Sequence, residues 1–285
     1  MSAASAIVSP TAEEITRASK SNLAMALIAL PRDRRRDMNI FYAFCRVIDD
    51  IADDPGRSTD ERRTALDQWK ESLTGEIPAE PALAPVIRAL IAKYRLEPTL
   101  LREIIDGCEM DLAGARYATW EDLRVYCYRV ASCVGLVSIE IFGCKNPECR
   151  NYAIDLGLAL QITNILRDVG EDFRNDGRVY LPQEDLARFG YTMEDLAAGR
   201  RNEAFLSLMR FEADRARAYY ASAVKSLPPG EHRALVAAEL MRAIYGRILT
   251  RMEGDGFRVF EKRYRVSTPG KLALIAGVLL RTAFA

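Results

Sequence analysis

Two groups of acidic residues, each at the end of an apolar run, carry the chemistry open to this sequence. Asp49, Asp50, Asp53 and Asp54 follow the run at residues 41–48. Asp49 and Asp53 are four apart, which on an α-helix leaves only about 40° between them, so both carboxylates project from one face. Like charges at that spacing repel, and acids near a helix C-terminus also oppose the macrodipole. A solvated, fraying helix end before Pro55 would tolerate such a cluster without any function. The second group repeats the pattern: Asp168 and Asp172 are again four apart after an apolar helix, with Asn164 one turn earlier on the same face. Hard oxygen donors with no nitrogen or sulfur beside them suit Mg²⁺, which takes one or two carboxylates and completes its octahedron with water and substrate phosphate. The ligand this implies is a diphosphate. Ser19, Lys20 and Ser21, Arg46 one turn before Asp49 and Asp50, Arg167 beside Asp168, and Arg178 beyond the second group outline a basic rim. Taken singly, each of these basic residues is more often a surface charge or an ion-pair partner.

Composition narrows the alternatives. The chain has 285 residues, 49% apolar and 28% charged, which excludes disorder and collagen-like repeats. Lys plus Arg and Asp plus Glu balance at 40 each, so no net field collects nucleic acid, and none is expected as a partner. His232 is the only histidine, which removes Ser-His-Asp triads, HExxH zinc sites and Glu-x-x-His di-iron motifs. Catalysis therefore leans on carboxylates. The six cysteines form no C-x-x-C pair and read as reduced, buried thiols of a cytoplasmic protein. The stretch before Pro10 lacks a signal-peptide pattern. No apolar run approaches the roughly 20 residues that cross a bilayer, the longest lying near 24–30 and 272–280.

The elements that must hold these residues are helices. Apolar residues recur at three and four, with no strand-like alternation between turn signals, so an all-α protein is expected. Breaks at Pro31, Pro55, residues 75–85, Pro98, residues 143–147 and 176–182, Pro228 and Pro269 leave roughly nine to twelve helices. No break is a domain linker and no solenoid repeat is visible. Residues 1–285 are expected to form one compact bundle, with about the first 15 a loose N-terminal tail. The segments most apolar all round, 38–48, 130–142 and 152–166, should be its central helices, and two of them run into the acidic groups.

These residues resemble the squalene and phytoene synthases, which join two prenyl diphosphates head to head. The similarity runs from about Ser19 to Val266, through SKS at Ser19, YAFCRVIDDIAD from Tyr42, YCYRVASCVG from Tyr126 and QITNILRDVGEDFRNDGRVYLP from Gln161. The resemblance implies a single-domain isoprenoid-synthase helical bundle with a central apolar cavity. It implies metal ligation by Asp49, Asp53, Asn164, Asp168 and Asp172, with about two or three Mg²⁺ ions per site. Ser19, Lys20, Ser21, Arg46, Gln161, Arg167, Arg178 and Arg263 would bind substrate diphosphate, with Lys262 the alternative to Arg263. Tyr42, Arg46, Tyr126 and Tyr245 are implied as catalytic positions. Mg²⁺ would assist departure of the allylic diphosphate, a Lewis-acid role that needs no histidine. Aromatic faces, with Phe41 and Tyr128 as further candidates, would stabilise the resulting cation, although aromatics at helical spacing are usually core.

The motifs VASCVGLVSIEIFG and LGLALQITNILRDVGED resemble bacterial presqualene-diphosphate and squalene synthases most closely, which favours two farnesyl diphosphates and a C30 product. Against that, Asn22 to Ala26 reads NLAMA, and small side chains there would deepen a pocket for two geranylgeranyl diphosphates and C40 phytoene. NADPH would serve a reductive step, but Gly254-Asp255-Gly256 is no dinucleotide fingerprint and no motif indicates the cofactor. DDxxD spacing is usual in chain-elongating transferases and terpene cyclases; the first group is read instead as D-x-x-x-D with extra acids, which favours head-to-head chemistry. The rival of another class is a non-catalytic helical protein that binds polyprenyl lipid or metal. Residues 271–281, apolar and bounded by basic residues, either pack on the bundle or make a peripheral contact at the inner face of a membrane.

Overall fold

After a short helix α1 (Asn22–Ala26) and one 3-10 turn (Leu27–Ala29), Pro31 holds φ at −52° and starts α2 (Arg32–Ala52). Met38, Phe41, Phe44 and Ile48 recur at three and four along α2 and are buried. That stripe packs on α3 (Thr59–Ser72), α4 (Ala84–Tyr94) and α5 (Pro98–Leu112). The computed structural model describes residues 22–284 apart from 113 and 115, so the expected N-terminal tail lies outside the described residues.

The next helices form the centre. α6 (Trp120–Cys127), a π-helical turn (Tyr128–Ser132) and α7 (Cys133–Phe142) make one rod. The longest helix, α8 (Cys149–Asp176), is flanked by this rod, by α11 (Glu203–Lys225) and by α12 (Val236–Gly254). Between α8 and α11 lie α9 (Gln183–Phe189) and α10 (Met193–Ala197), and α13 (Thr268–Phe284) packs on α12. The protein is an all-α helical bundle. Among the described residues the only β contact is an isolated parallel bridge between Arg116 and Val179.

Three local features depart from the sequence reading. Thirteen α-helices form among the described residues, because residues 183–197 fold into two short pieces. A break after Leu112, unmarked by proline, ends where Thr119 and Asp122 cap α6 reciprocally. The rod Trp120–Phe142 is apolar and long enough to cross a membrane, although no run of that length was expected. It lies inside the bundle, with Leu123, Cys127, Ser132, Cys133, Leu136 and Val137 buried against its neighbours.

Two glycines allow the π turn to sit at the centre. A Cβ on Gly107 of α5 would lie 2.7 Å from Val130 Cγ1, and one on Gly157 of α8 would lie 2.6 Å from Ser132 Cα. The π turn is thus clasped by backbone from two helices, and Ser132 Oγ donates to the Ile154 carbonyl at 2.8 Å. Gly157→Ala should therefore destabilise the protein by about 1–3 kcal/mol, since backbone must shift to admit one methyl group. Gly246→Ala, mid-helix in α12 with nothing within 4 Å, should raise stability by about 0.5–1 kcal/mol. Thermal melts of the two variants, moving in opposite directions, check this assignment.

Candidate active site

α2 and α8, which carry the two acidic groups, are held apart by a cavity of about 240 Å³. Its walls include Tyr42, Arg46 and Asp49 from α2, Asp111 from α5, Tyr126 from α6 and Gln161 from α8. Val134 of α7 is shared with a second, apolar cavity of about 120 Å³, walled by Leu23, Gly135, Tyr152, Gly157 and Met241 among others. The expected central apolar cavity is present as this pair of spaces, polar at one end and apolar at the other.

In the first acidic group, α2 ends at Ala52 and Asp53 is its C-cap, its N–H donating to the Asp49 carbonyl at 2.9 Å. Helical spacing thus persists through Asp53, and the cluster is no frayed end. Arg46 donates to Asp49 at 3.0 Å and pairs with Asp50 at 2.6 Å. Half of the Asp49 side chain is open to the cleft. Even so, removal from bulk water, reinforced by the Asp53 and Asp50 charges and opposed by Arg46 and Arg178, pushes its carboxyl up to about 6.

In the second group, Arg167 grips Asp168 through two bonds of 2.8 and 2.5 Å, and its guanidinium lies 5.9 Å from the centre of the Tyr245 ring. Arg263 reaches Asp168 at 3.2 Å and Glu171 at 3.1 Å. Lys262, the alternative basic position, pairs instead with Asp255. Burial and the Asp168 charge push Asp172 up to about 7, with Arg178 opposing.

Arg178 joins the groups. It donates to Asp53 Oδ1 at 2.6 Å, and its charge also acts on Asp49, Asp111 and Asp172. Its position comes from residues 178–183, which run beside 116–118: Val179 bridges to Arg116, and Gln183 N–H donates to the Tyr117 carbonyl at 2.9 Å. The same pairing delivers Tyr180, whose hydroxyl donates to Asp111 at 2.9 Å while Tyr126 donates at 3.1 Å. The rings of Tyr117, Tyr126 and Tyr180 lie against one another. Burial pushes Asp111 up to about 6 against the pull of Arg178 and the two phenols.

Asp111, Tyr117 and Tyr180 were not singled out from the sequence. One signal was available: Ile104, Cys108 and Asp111 fall on one helical face, so an acid continues an apolar stripe. Phe41, an expected cation stabiliser, is fully buried and stacked on Phe44, and Tyr128 and Tyr245 are absent from the walls of either cavity. Ser19, Lys20 and Ser21 lie outside the described residues.

The donor set is made of oxygens. Asn164 Oδ1 is buried and accepts no hydrogen bond among the described residues, while Asn164 Nδ2 donates to Gln161 at 3.4 Å. An orphaned amide oxygen one turn before two mutually repelling aspartates fits a hard cation. The aspartates do not converge into a preformed cage, however, and their charges are met by arginines. Among the described residues the compact metal-ligand grouping is Cys144, Cys149 and Glu231, at the N-terminal end of α8 and on two loops, away from the acidic groups at the other end of that helix and on α2.

Comparison with known proteins fixes the family. Residues 16–270 match the squalene/phytoene synthase family. The chain is 38% identical over 271 residues to phytoene synthase of Arthrospira platensis, covering 88% of this chain and 86% of that protein. It is 36% identical over 284 residues to 15-cis-phytoene synthase of Synechococcus elongatus, covering 94% and 91%. Among solved structures it superposes on a dehydrosqualene synthase with a TM-score of 0.85 at 26% identity, covering 96% of both chains. A squalene synthase of Alicyclobacillus acidocaldarius gives 0.76 at 29% identity, over 86% of this chain and 93% of that one.

The expected closeness to presqualene-diphosphate and squalene synthases is thereby corrected, since the most similar of these relatives in sequence are phytoene synthases. The motifs behind that expectation lie in the π turn, α7 and α8, the packed centre of the bundle, so they report the shared fold rather than the branch. The rival of a catalytically silent binder is also set aside. The chain belongs to the squalene/phytoene synthase family and is an enzyme of its head-to-head prenyltransferase class.

Proposed function

We propose that the enzyme joins two geranylgeranyl diphosphates to give phytoene. The observation that carries this reading is 36–38% identity to phytoene synthases across most of both chains. The small residues of α1 support it, because Ala26 is buried one turn beyond Leu23, which lines the apolar cavity. The prenyl chains lie in that apolar space and their diphosphates between α2 and α8.

Arg46, Arg167, Arg178 and Arg263 exchange their carboxylate partners for diphosphate oxygens, assisted by Gln161 and by Ser19, Lys20 and Ser21. Asp49, Asp53, Asn164, Asp168 and Asp172 hold Mg²⁺, which when bound supplies Lewis-acid stabilisation to the departing diphosphate. The allylic C–O bond of one substrate ionises, and the double bond of the second attacks the cation to form a cyclopropylcarbinyl diphosphate. A second ionisation, rearrangement and loss of a proton give the linear product without a reductant, so NADPH has no part. The apolar walls exclude water from the cations, and the faces of Tyr42, Tyr126 and Tyr245 stabilise them by about 0.5–2 kcal/mol each. A hydrocarbon product of this kind suits release at the face of a membrane, in line with the expected cytoplasmic, peripheral location.

Purified enzyme with Mg²⁺ should convert geranylgeranyl diphosphate to phytoene with no effect of NADPH, as read by mass analysis of the extracted products. A C30 product from farnesyl diphosphate and none from the longer substrate would overturn the reading. Asp49→Asn and Asp168→Asn should keep the helical content yet lose at least about 100-fold in turnover, because each removes charge that holds the cation. Ala26→Phe should shift preference toward farnesyl diphosphate by intruding on the α1 wall, measured as the ratio of kcat/KM values. Asp172 and Asp49 take up protons near 7 and 6 and then hold a cation poorly. The pH profile of kcat/KM should accordingly fall as pH drops through that range and be flat above about 8.

A further inference from the structure

Two thiols and a carboxylate meet at the far end of α8 from the second acidic group. Cys144 follows the C-cap of α7, Cys149 opens α8, and Glu231 lies on the loop between α11 and α12. The ligand atoms of the three residues all lie within 4.8 Å of one another. Along α8, at about 1.5 Å per residue, Cys149 stands about 28 Å from Asp168, so an ion held here is separate from any held between the acidic groups.

The backbone brings these side chains together without a ligand. Gly143, at φ +79°, turns the chain out of α7, and the Cys144 N–H donates to the Ile139 carbonyl at 3.1 Å. On the other loop, Glu231 N–H closes a turn on the Pro228 carbonyl at 3.2 Å, with Gly230 at φ +85°. The Glu231 side chain then crosses to the chain between the two cysteines, where its Oε1 accepts from the N–H groups of Lys145 and Asn146, both at 2.9 Å. Both bonds end on Oε1, which leaves Oε2 for a cation.

The chemistry of the three donors selects the ion. Cys149 is buried, while Cys144 and Glu231 are partly exposed and give access from solvent. Burial, followed by the Glu231 and Glu140 charges, pushes both thiols up, and the two thiols share a hydrogen bond. A dication in place of the thiol protons would offset the negative charge gathered there. Two sulfurs are too soft a set for Mg²⁺ and too few for an iron–sulfur cluster. Zn²⁺ binds thiolate at about 2.3 Å and carboxylate at about 2.0–2.2 Å, which gives a tetrahedron with edges of about 3.5–4 Å. Edges of that length fall inside the 4.8 Å span of the three ligand atoms.

We propose that Cys144, Cys149 and Glu231 bind one Zn²⁺, with water in the fourth position, as a staple joining the α7–α8 loop, the start of α8 and the α11–α12 loop. Each thiol gives its proton to solvent as its Zn–S bond forms, so binding releases two protons and weakens as pH falls. No electron is transferred and no turnover is required, so the site stands or falls independently of the prenyl chemistry.

The test uses the full-length protein, reduced and freed of metal by a chelator, then titrated with Co²⁺ as a spectroscopic probe and with Zn²⁺. Co²⁺ should produce a thiolate-to-metal charge-transfer band. Zn²⁺ should abolish that band at one ion per chain and raise Tm by about 5 °C at saturation. Excess Mg²⁺ and the Asp168→Asn substitution should leave the band unchanged, because they act only at the acidic groups. Cys144→Ser, at the more exposed of the two thiols, should remove at least half of the band and the thermal gain with it. Glu231→Gln, which keeps an acceptor for the Lys145 and Asn146 N–H groups, should weaken Zn²⁺ binding at least about ten-fold. A native protein without the band, a band undiminished by Cys144→Ser, or a Zn²⁺ affinity unmoved by Glu231→Gln would overturn the proposal. So would a Cys144–Cys149 disulfide in protein whose free thiols were blocked before purification.

Discussion

A guanidinium set among carboxylates is the constraint on which the polar half of this protein depends. Asp49, Asp111 and Asp172 come from three helices, and removal from water already disfavours the charge of each. Arg178 is tied to Asp53 and counters the other three. Arg46, Arg167 and Arg263 do the same at the edges. Breaking such partly buried pairs one side at a time is costly, because the remaining charge stays uncompensated. Exchange of carboxylate partners for a cation and a diphosphate keeps every charge matched, which makes the resting cleft a precursor of the loaded one.

The apolar half depends on close backbone approach. Gly107 and Gly157 admit the π turn between α5 and α8, and that turn offsets the register of Tyr126 relative to Val134 along one rod. The rod thereby places a phenol at the polar cavity and aliphatic wall at the apolar one. Interruptions of α-helical register are common where a helix must aim side chains in two directions. Ionisation at the polar end and protection of cations from water at the apolar end are two demands that one continuous helix meets here.

Much of this was legible in the sequence, for a physical reason. Asp49 and Asp53, and Asn164, Asp168 and Asp172, are related by helical spacing within single helices, so their shared faces follow from local geometry alone. Asp111, Tyr117 and Tyr180 meet only because residues 116–118 run beside 178–183, a pairing with no local signature. The substrate branch was misread because the quoted motifs build the common core. The length of the central rod was missed because Arg124 and Arg129 interrupt the apolar pattern that a bilayer-spanning run would show.

The central claim is that Mg²⁺ and a diphosphate jointly replace the arginine–aspartate pairs between α2 and α8. Its most direct test is a thermal shift of the purified enzyme with Mg²⁺ alone, inorganic diphosphate alone and both together. Because each needs the charge of the other, the pair should raise Tm by about 5 °C or more at saturating concentration, well beyond the sum of the separate effects. A shift with diphosphate that is unchanged by Mg²⁺, or no shift with both, would contradict the account.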